Sequence, residues 1–227
     1  TILSFVSSIQ ISSNKLFQLG DWIEAPQFGA DGEVIDIALH TVKIQNWDKT
    51  ISIIPTHKLI DSSFKNWIGM SNSGGRRIKR SIYIDMNSIK FCNDKMLNKY
   101  KEVELISHYI QDKLSEITKH NQPLEQNKSI LNGRALTNVG TYRAYIKAYL
   151  KNNVNIHQNM TFLIRQLSPT EQGLPLQIYV FSNDTDWIAY EEIQSDIFDH
   201  LIASLEQFDL RVYQKPSGHD IQSLSLI

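Results

Sequence analysis

The chain has 227 residues, 41% of them hydrophobic, which is enough for one large domain or two small ones with separate cores. Its 23 basic and 24 acidic residues leave a formal net charge of −1, so no global field favours nucleic acid or an anionic membrane surface. The single cysteine, Cys92, excludes an intrachain disulfide and is typical of a reducing compartment. The sequence contains neither a signal peptide nor eighteen consecutive apolar residues.

Residues 1–18 have the spacing of an amphipathic helix, with serines and Lys15 on its polar side. The apolar side is formed by Ile2, Phe5, Val6 and Ile9. Since the sequence starts in the middle of this pattern, we expect it to be a piece of a longer protein. The segment is too short and too rich in serine to cross a bilayer alone. Two interpretations stay open: the helix packs on its own domain, or it is the inner end of a membrane-associated helix whose apolar side contacts lipid or other helices.

The next stretch, 19–70, contains short apolar runs that alternate with polar residues and are separated by Gly, Pro or Asn/Asp turns. This pattern is typical of half-buried strands, which we predict at 22–23, 34–37, 41–45, 51–54 and 64–67. Pro55 ends the fourth strand because it cannot donate a ladder hydrogen bond. Four or five such strands predict a small curled sheet or barrel.

A glycine- and serine-rich segment, 69–75, is the best candidate for a domain boundary. Gly74 and Gly75 can adopt backbone angles closed to other residues, so we predict an inter-domain hinge there. The following run, 76–80, carries four positive charges in five residues. A nucleic-acid patch is one interpretation, but no aromatic residues are interleaved to stack on bases, which favours a solvated strand face or a subunit contact.

Residues 76–215 alternate between strand and helix patterns, with an irregular helical insertion at 124–137. We predict strands at 78–84, 160–167, 176–182 and 210–213, and helices at 94–119, 140–151 and 187–208. This order is the split βαβ plan of ferredoxin-like domains, with helices on one face of a sheet. The whole chain is therefore predicted to be of the α+β class.

The tail, 219–227, has Leu224 and Leu226 on one side of a strand pattern and serines on the other. It follows a domain whose predicted sheet is already complete. Because a lone edge strand is unstable in water, it either frays or pairs with copies of itself from other subunits.

The sequence predicts no catalytic, cofactor or metal site. None of the seven histidines belongs to an H-E-x-x-H motif or a Cys/His cluster. Asp196, Asp199 and His200 share one helical turn, but such a trio is more often a solvated face with a hydrogen-bonded imidazole than a metal site. An enzyme with an unrecognised site is not excluded by the residues alone.

Three segments carry a resemblance to a known family: 17–23 (Phe-Gln-Leu-Gly-Asp-Trp-Ile), 32–37 (Gly-Glu-Val-Ile-Asp-Ile) and 51–55 (Ile-Ser-Ile-Ile-Pro). They resemble the core of the small-conductance mechanosensitive channel family. In that family the stretch is an Sm-like five-stranded β-barrel directly below the pore-lining helix, and 1–18 is similar to the inner end of that helix. Thr56 departs from the pattern, because many members have Asn after the proline.

The second half resembles the miniconductance subgroup of the same family. The resemblance is carried by 138–145 (Asn-Val-Gly-Thr-Tyr-Arg-Ala-Tyr), 154–161 (Val-Asn-Ile-His-Gln-Asn-Met-Thr) and 196–201 (Asp-Ile-Phe-Asp-His-Leu). It implies a cytoplasmic cage of β and α/β domains.

The resemblance implies both the assembly and the function of the protein. We expect a homoheptamer in the bacterial inner membrane that opens under membrane tension and releases ions and solutes during hypo-osmotic stress. We expect neither a cofactor nor a nucleic-acid partner. Ile2, Phe5, Val6 and Ile9 would contact the membrane or the pore helices, and one strand per subunit from 219–227 would close the cage. The alternative is a soluble Sm-like RNA-binding protein, which the near-neutral charge disfavours.

Overall fold

The computed structural model describes residues 2–124 and 130–216 of the chain. It separates into two compact units, Thr1–Gly74 and a second unit that begins at Gly75. The predicted tail strand with Leu224 and Leu226 lies outside the described residues, as does part of the predicted insertion at 124–137.

The first unit consists of an N-terminal helix, five short strands and two short helices. In chain order they are α1 (Ile2–Asn14), β1 (Trp22–Ala25), β2 (Ala30–Ile37), β3 (Thr41–Asn46), β4 (Ile51–Pro55), α2 (Thr56–Ile60), β5 (Lys65–Asn66) and α3 (Ile68–Ser73). A 3₁₀ turn at Pro26–Phe28 joins β1 to β2. The five predicted strands are all present.

The strands of the first unit form one antiparallel sheet in the order β4-β3-β2-β1-β5. Alternate side chains such as Val34, Val42 and Ile44 turn inward and form its core together with Ile11 and residues of α2. A register shift between Val34 and Asp36 bends β2. The strands pair antiparallel throughout, and the curl of the sheet and its closure into an Sm-like barrel stay predictions.

The segment 69–75, predicted as a domain boundary, is mostly helical, because α3 occupies most of it, and the first unit ends at Gly74. The Asn66 side chain accepts a hydrogen bond from the Ile68 amide at 2.9 Å, and Gly74 ends the helix in the left-handed conformation at φ 72°. Glycines and serines are weak helix formers, so composition alone concealed a helix that is specified by its two ends. The helix α2, directly after Pro55, was also missed.

The second unit contains three strands and four helices among the described residues. They are β6 (Arg76–Ile84), α4 (Asp94–Lys101), α5 (Glu104–Asn121), α6 (Asn138–Asn152), β7 (Leu163–Gln166), β8 (Leu174–Ser182) and α7 (Trp187–Ser204). Short 3₁₀ turns occur at Met86–Ser88, Gln122–Leu124, Ile130–Asn132 and Leu205–Phe208.

The sheet of the second unit is antiparallel, in the order β6-β8-β7. A single bridge between Ile84 and Val212 places the segment after α7 beside β6. The resulting order, fourth, first, third, second, is that of the split βαβ plan. The predicted strand at 210–213 is thus only one bridge. Side chains of one face, such as Ile78, Ile82 and Ile178, form a core with α4 to α7.

The helices of the second unit differ from the prediction at their ends. The single helix predicted at 94–119 is two helices, because Val103 has an extended backbone at φ −80° and ψ 105°. Asn93 caps α4 by accepting the Met96 amide, and Thr137 caps α6 by accepting the Gly140 amide. Capping residues therefore specify helix starts that apolar periodicity alone does not resolve.

Candidate functional site

The outer side of α1 is an exposed apolar face. Ile2 is 80% exposed, Phe5 and Ile9 are 51% exposed and Val6 is 45% exposed, with Leu3 beside them. These are four predicted contact residues, and within the described chain they belong to neither core cluster. Exposed apolar residues on one helix face indicate a contact surface for lipid or another chain.

The inner side of α1 packs against the first unit through two serines and one isoleucine. Ser4, Ser7 and Ile11 lie one or two helical turns apart and are buried, and Ile11 joins the core of the first unit. The Ser4 hydroxyl is 3.3 Å from Nδ1 of His57 in α2. Small side chains let the two helices approach closely, so α1 is fixed to the first unit while its apolar side stays outward.

Sequence reasoning missed this inner side, because it placed Ser4 only on the polar stripe opposite the apolar side of the helix. The signal was present in the spacing of Ser4, Ser7 and Ile11, which share one face of a helix. The segment that follows α1 is also fixed: Asn66 of β5 donates to the carbonyl of Leu16 at 3.2 Å and to the carboxylate of Asp21 at 2.8 Å. No helix in the described part of the chain is long and apolar enough to span a membrane.

The two glycines of the predicted hinge have different surroundings. Gly74 has a positive φ and open space where a Cβ would lie. Gly75 is buried, and a Cβ there would overlap the sulfur of Met160 in its own unit. Gly74 is therefore required by the backbone conformation and Gly75 by packing, and the hinge itself stays a prediction.

The basic run at 76–80 does not form a single solvated face. Arg76 lies over the ring of Tyr190 at 4.6 Å and Arg80 over the ring of Phe198 at 4.7 Å, both on α7. Arg77 points to the other side of the sheet and lies 5.8 Å from the centre of the Tyr179 ring. Two of the four charges thus stabilise the packing of α7 through cation–π contacts.

The Asp196, Asp199 and His200 trio lies on α7, where the imidazole is held by tyrosines. The Tyr145 hydroxyl is 2.6 Å from Nε2 of His200, and the Tyr149 ring stacks on the imidazole at 4.3 Å. Burial raises the pKa values of Tyr145 and Tyr149, so both hydroxyls stay protonated at neutral pH. In the part of the chain that the structure describes, no group of three or more acidic, Cys or His side chains could hold a metal.

Cys92 is half-buried, and burial raises the pKa of its thiol. Its sulfur is 4.0 Å from the hydroxyl of Thr141. A protonated, shielded thiol is a poor nucleophile, so the geometry favours a packing role for Cys92.

The first unit matches a known protein family. The family model described as "Mechanosensitive ion channel, beta-domain" matches residues 1–69, which are nearly all of the first unit. The first unit therefore carries the β-domain of the mechanosensitive channel family, and the relatives below support that family for the chain. The predicted resemblance is confirmed at this level, while the assignment to the miniconductance subgroup stays a prediction.

Two relatives within the channel family show how much of a full-length protein the chain represents. It is 32% identical over 88 residues to the small-conductance mechanosensitive channel MscMJ of Methanocaldococcus jannaschii, covering 39% of this chain and 24% of that protein. It is 21% identical over 199 residues to the low conductance mechanosensitive channel YnaI of Escherichia coli, covering 88% of this chain and 43% of that protein. The chain thus spans less than half of either relative.

Solved structures of channel proteins share the fold of both units. The cryo-EM structure of MSL1 from Arabidopsis thaliana matches with a TM-score of 0.62 and 13% identity, covering 94% of this chain and 59% of that chain. The closed-state crystal structure of MscS from Helicobacter pylori matches with a TM-score of 0.58 and 14% identity, covering 95% and 63%. The predicted mixed α+β class is confirmed.

Proposed function

We propose that this chain is the cytoplasmic part of a bacterial inner-membrane ion channel that opens under membrane tension and releases ions and solutes during hypo-osmotic stress. One observation carries the proposal. A helix with an exposed apolar side, α1, is fixed by its other side to a β-domain of the channel family. We infer that the apolar side, formed by Ile2, Phe5, Val6 and Ile9, contacts lipid or the pore helices of neighbouring subunits.

The proposed mechanism uses both sides of α1. Tension does work on the area that the channel gains on opening, so it shifts the population toward the wider state. A displacement of the outer side of α1 is passed to the first unit through Ser4, Ser7 and Ile11, because these residues are packed against that unit. In this account α1 connects the membrane-embedded part of the protein with its folded domains.

We propose that the channel assembles with copies of itself as a homoheptamer and needs no cofactor. From the sequence alone, the strand at 219–227 with Leu224 and Leu226 would pair between subunits. Deleting those residues should make the assembly dissociate at higher protein concentrations than the parent, while both units remain folded. Light scattering on serial dilutions measures this, and an assembly as resistant to dilution as the parent would remove the strand from the mechanism.

The RNA-binding alternative is not favoured. Its main sequence signal was the basic run at 76–80, of which Arg76 and Arg80 are engaged with aromatic rings of α7. The relatives found in the comparisons are channels, and channels are not enzymes, so no catalytic role is proposed.

The direct test of the proposed function uses the complete protein in bacterial cells that lack their own mechanosensitive channels. We expect it to restore survival after a sudden hypo-osmotic shift and to produce pressure-activated currents in membrane patches. Immunoblotting of the membrane fraction controls for its presence. A protein that is present in the membrane but gives no current up to patch rupture would contradict the proposal.

A further inference from the structure

The sheet of the second unit has a packed face and an exposed one. The helices α4 to α7 form the core with the even-numbered apolar residues of β6 and β8. On the opposite face, five side chains are exposed: Arg77, Lys79, Tyr83, Leu163 and Arg165. We call these five residues the open sheet face. They lie side by side because Lys79 and Leu163 both pair with Tyr179 of the central strand.

The open sheet face is cationic and its charges are uncompensated. Arg77, Lys79 and Arg165 make no ion pair with any residue in 2–124 or 130–216. Arg165 instead donates two hydrogen bonds to the Gln177 side chain, at 2.9 and 3.1 Å, which fixes the guanidinium above the sheet. Tyr83 and Leu163, which are 38% and 40% exposed, add apolar area.

A surface of opposite charge lies on α7 of the same unit. Its outward residues, which we call the acidic face of α7, are Ile188, Glu192, Asp196, Asp199 and Ile202. Ile188 is 70% exposed and Ile202 is 45% exposed. Within the described chain the three carboxylates make no ion pair either. The other side of α7, with Ile197, Phe198 and Leu201, is buried in the core.

The two faces match in length as well as in charge. The seven strand residues from Arg77 to Tyr83 span about 20 Å, and the fifteen helix residues from Ile188 to Ile202 span about 21 Å. Each face combines three charges with exposed apolar side chains. They cannot meet within one chain, because α7 lies on the packed side of the sheet.

We propose that the acidic face of α7 of one copy docks on the open sheet face of the next copy. The contact is heterologous, since different surfaces of two identical chains meet, and heterologous contacts with the right rotation close into rings. Charge complementarity sets the register, and the apolar side chains supply area removed from water. The inference rests on the self-assembly in the proposed function and names the surfaces that carry it.

The test reverses charges on each face separately and then together. The sheet variant is Lys79→Glu with Arg165→Glu, and the helix variant is Glu192→Lys with Asp199→Lys. Like charges placed opposite each other should raise the dissociation constant of the 227-residue chain about tenfold or more in either variant. Combining all four substitutions restores opposite charges, so assembly should return to within about threefold of the parent. Sedimentation velocity at several concentrations measures all of these values.

Lys95→Glu with Lys99→Glu is the matched control, because it makes the same charge change on exposed residues of α4. It should leave assembly unchanged, and circular dichroism should show that every variant is folded. The competing possibility is that RNA binds to the open sheet face, and fluorescence anisotropy with a labelled single-stranded RNA probe tests it. RNA binding that only the sheet variant abolishes, with assembly unaffected, would assign the open sheet face to nucleic acid and overturn the proposal.

Two further outcomes would also overturn it. One is an assembling parent chain whose dissociation constant is the same in both charge variants. The other is a parent that stays monomeric at its highest soluble concentration. Either outcome leaves the channel function standing, because that function is measured independently as pressure-activated current in membranes.

Discussion

The two units of this chain use their apolar residues differently. The first unit has a small core around Ile23, Val34 and Ile44, and it leaves five large apolar side chains of α1 exposed. The second unit has a larger core in which aromatic rings of α6, such as Tyr142, contact Phe208. The difference indicates that part of the apolar surface of the first unit is reserved for contacts outside the chain, whereas the second unit uses most of its own for stability.

The strongest test of this difference is to shorten one buried and one exposed isoleucine. Ile178→Ala in β8 should lower the free energy of unfolding by about 2–5 kcal/mol, because Ile178 is completely buried. Ile9→Ala in α1 should change it by less than about 0.5 kcal/mol, since Ile9 is exposed and alanine favours helix. Guanidinium unfolding followed by circular dichroism compares them. Equal losses would show that the exposed face of α1 also stabilises the fold.

Alkaline pH should destabilise the second unit more than the first, because all nine tyrosines belong to the second unit. Burial raises the pKa values of Tyr142 and Tyr190 in the folded chain above their usual value near 10. The folded state therefore keeps protons that the unfolded state releases, so the stability of the second unit is full below about pH 10 and falls above it.

Urea unfolding at pH 8, 10 and 11 tests this, with tryptophan fluorescence of a Trp187→Phe variant reporting the first unit through its three tryptophans. The second unit, followed by circular dichroism, should lose stability over this range. A first unit that loses as much would contradict the account.

Removing the Tyr100 hydroxyl tests the pH dependence of the second unit at one residue. Its hydroxyl is buried and has no hydrogen-bond partner among the described residues, and burial raises its pKa. Tyr100→Phe removes an unsatisfied polar group, so it should leave stability at pH 8 unchanged or raise it by about 1 kcal/mol. It should also reduce the loss of stability at pH 11. A destabilised variant would indicate that the hydroxyl has a partner in the folded protein.

Sequence patterns predicted the elements whose signal is local. The strands of the first unit and the helices of the second followed from apolar periodicity, and the split βαβ order followed from their succession. The helix α3 was missed because its specification lies in its ends, at Asn66 and Gly74, and not in its composition. The roles of Arg76 and Arg80 were missed because their aromatic partners are more than a hundred residues away in the sequence.

In the candidate site on α1 and at the two glycines, local features were likewise predictable and contacts between distant residues were not. The apolar side of α1 was predictable from spacing, and its exposure agrees with one of the two open interpretations. Spacing places Ser4, Ser7 and Ile11 on one shared face of the helix, but the burial of that face depends on α2, which sequence patterns did not predict. Gly74 and Gly75 could be recognised as a boundary, but the packing of Gly75 on Met160 depends on a residue that is distant in the chain.

Substituting the two glycines should have effects of modest size and of different origin. Gly74→Ala should cost about 1 kcal/mol, because a side chain is strained at φ 72°. Gly75→Ala should also destabilise, and Met160→Ala should relieve that loss, since the methionine sulfur occupies the space of the new Cβ. Thermal unfolding of the two single variants and the double variant measures the coupling. Independent effects would contradict the packing role of Gly75.

The most direct test of the central claim is a tension measurement on the complete protein with Phe5→Ser and Val6→Ser in α1. Both side chains are exposed, so the two units should remain folded, and Val154→Ser, at an 84% exposed position of the second unit, is the control. We predict that the pressure threshold for opening in patch recordings shifts in the α1 variant and not in the control. An unchanged threshold in the α1 variant, with protein present in the membrane, would contradict the role of this face in gating.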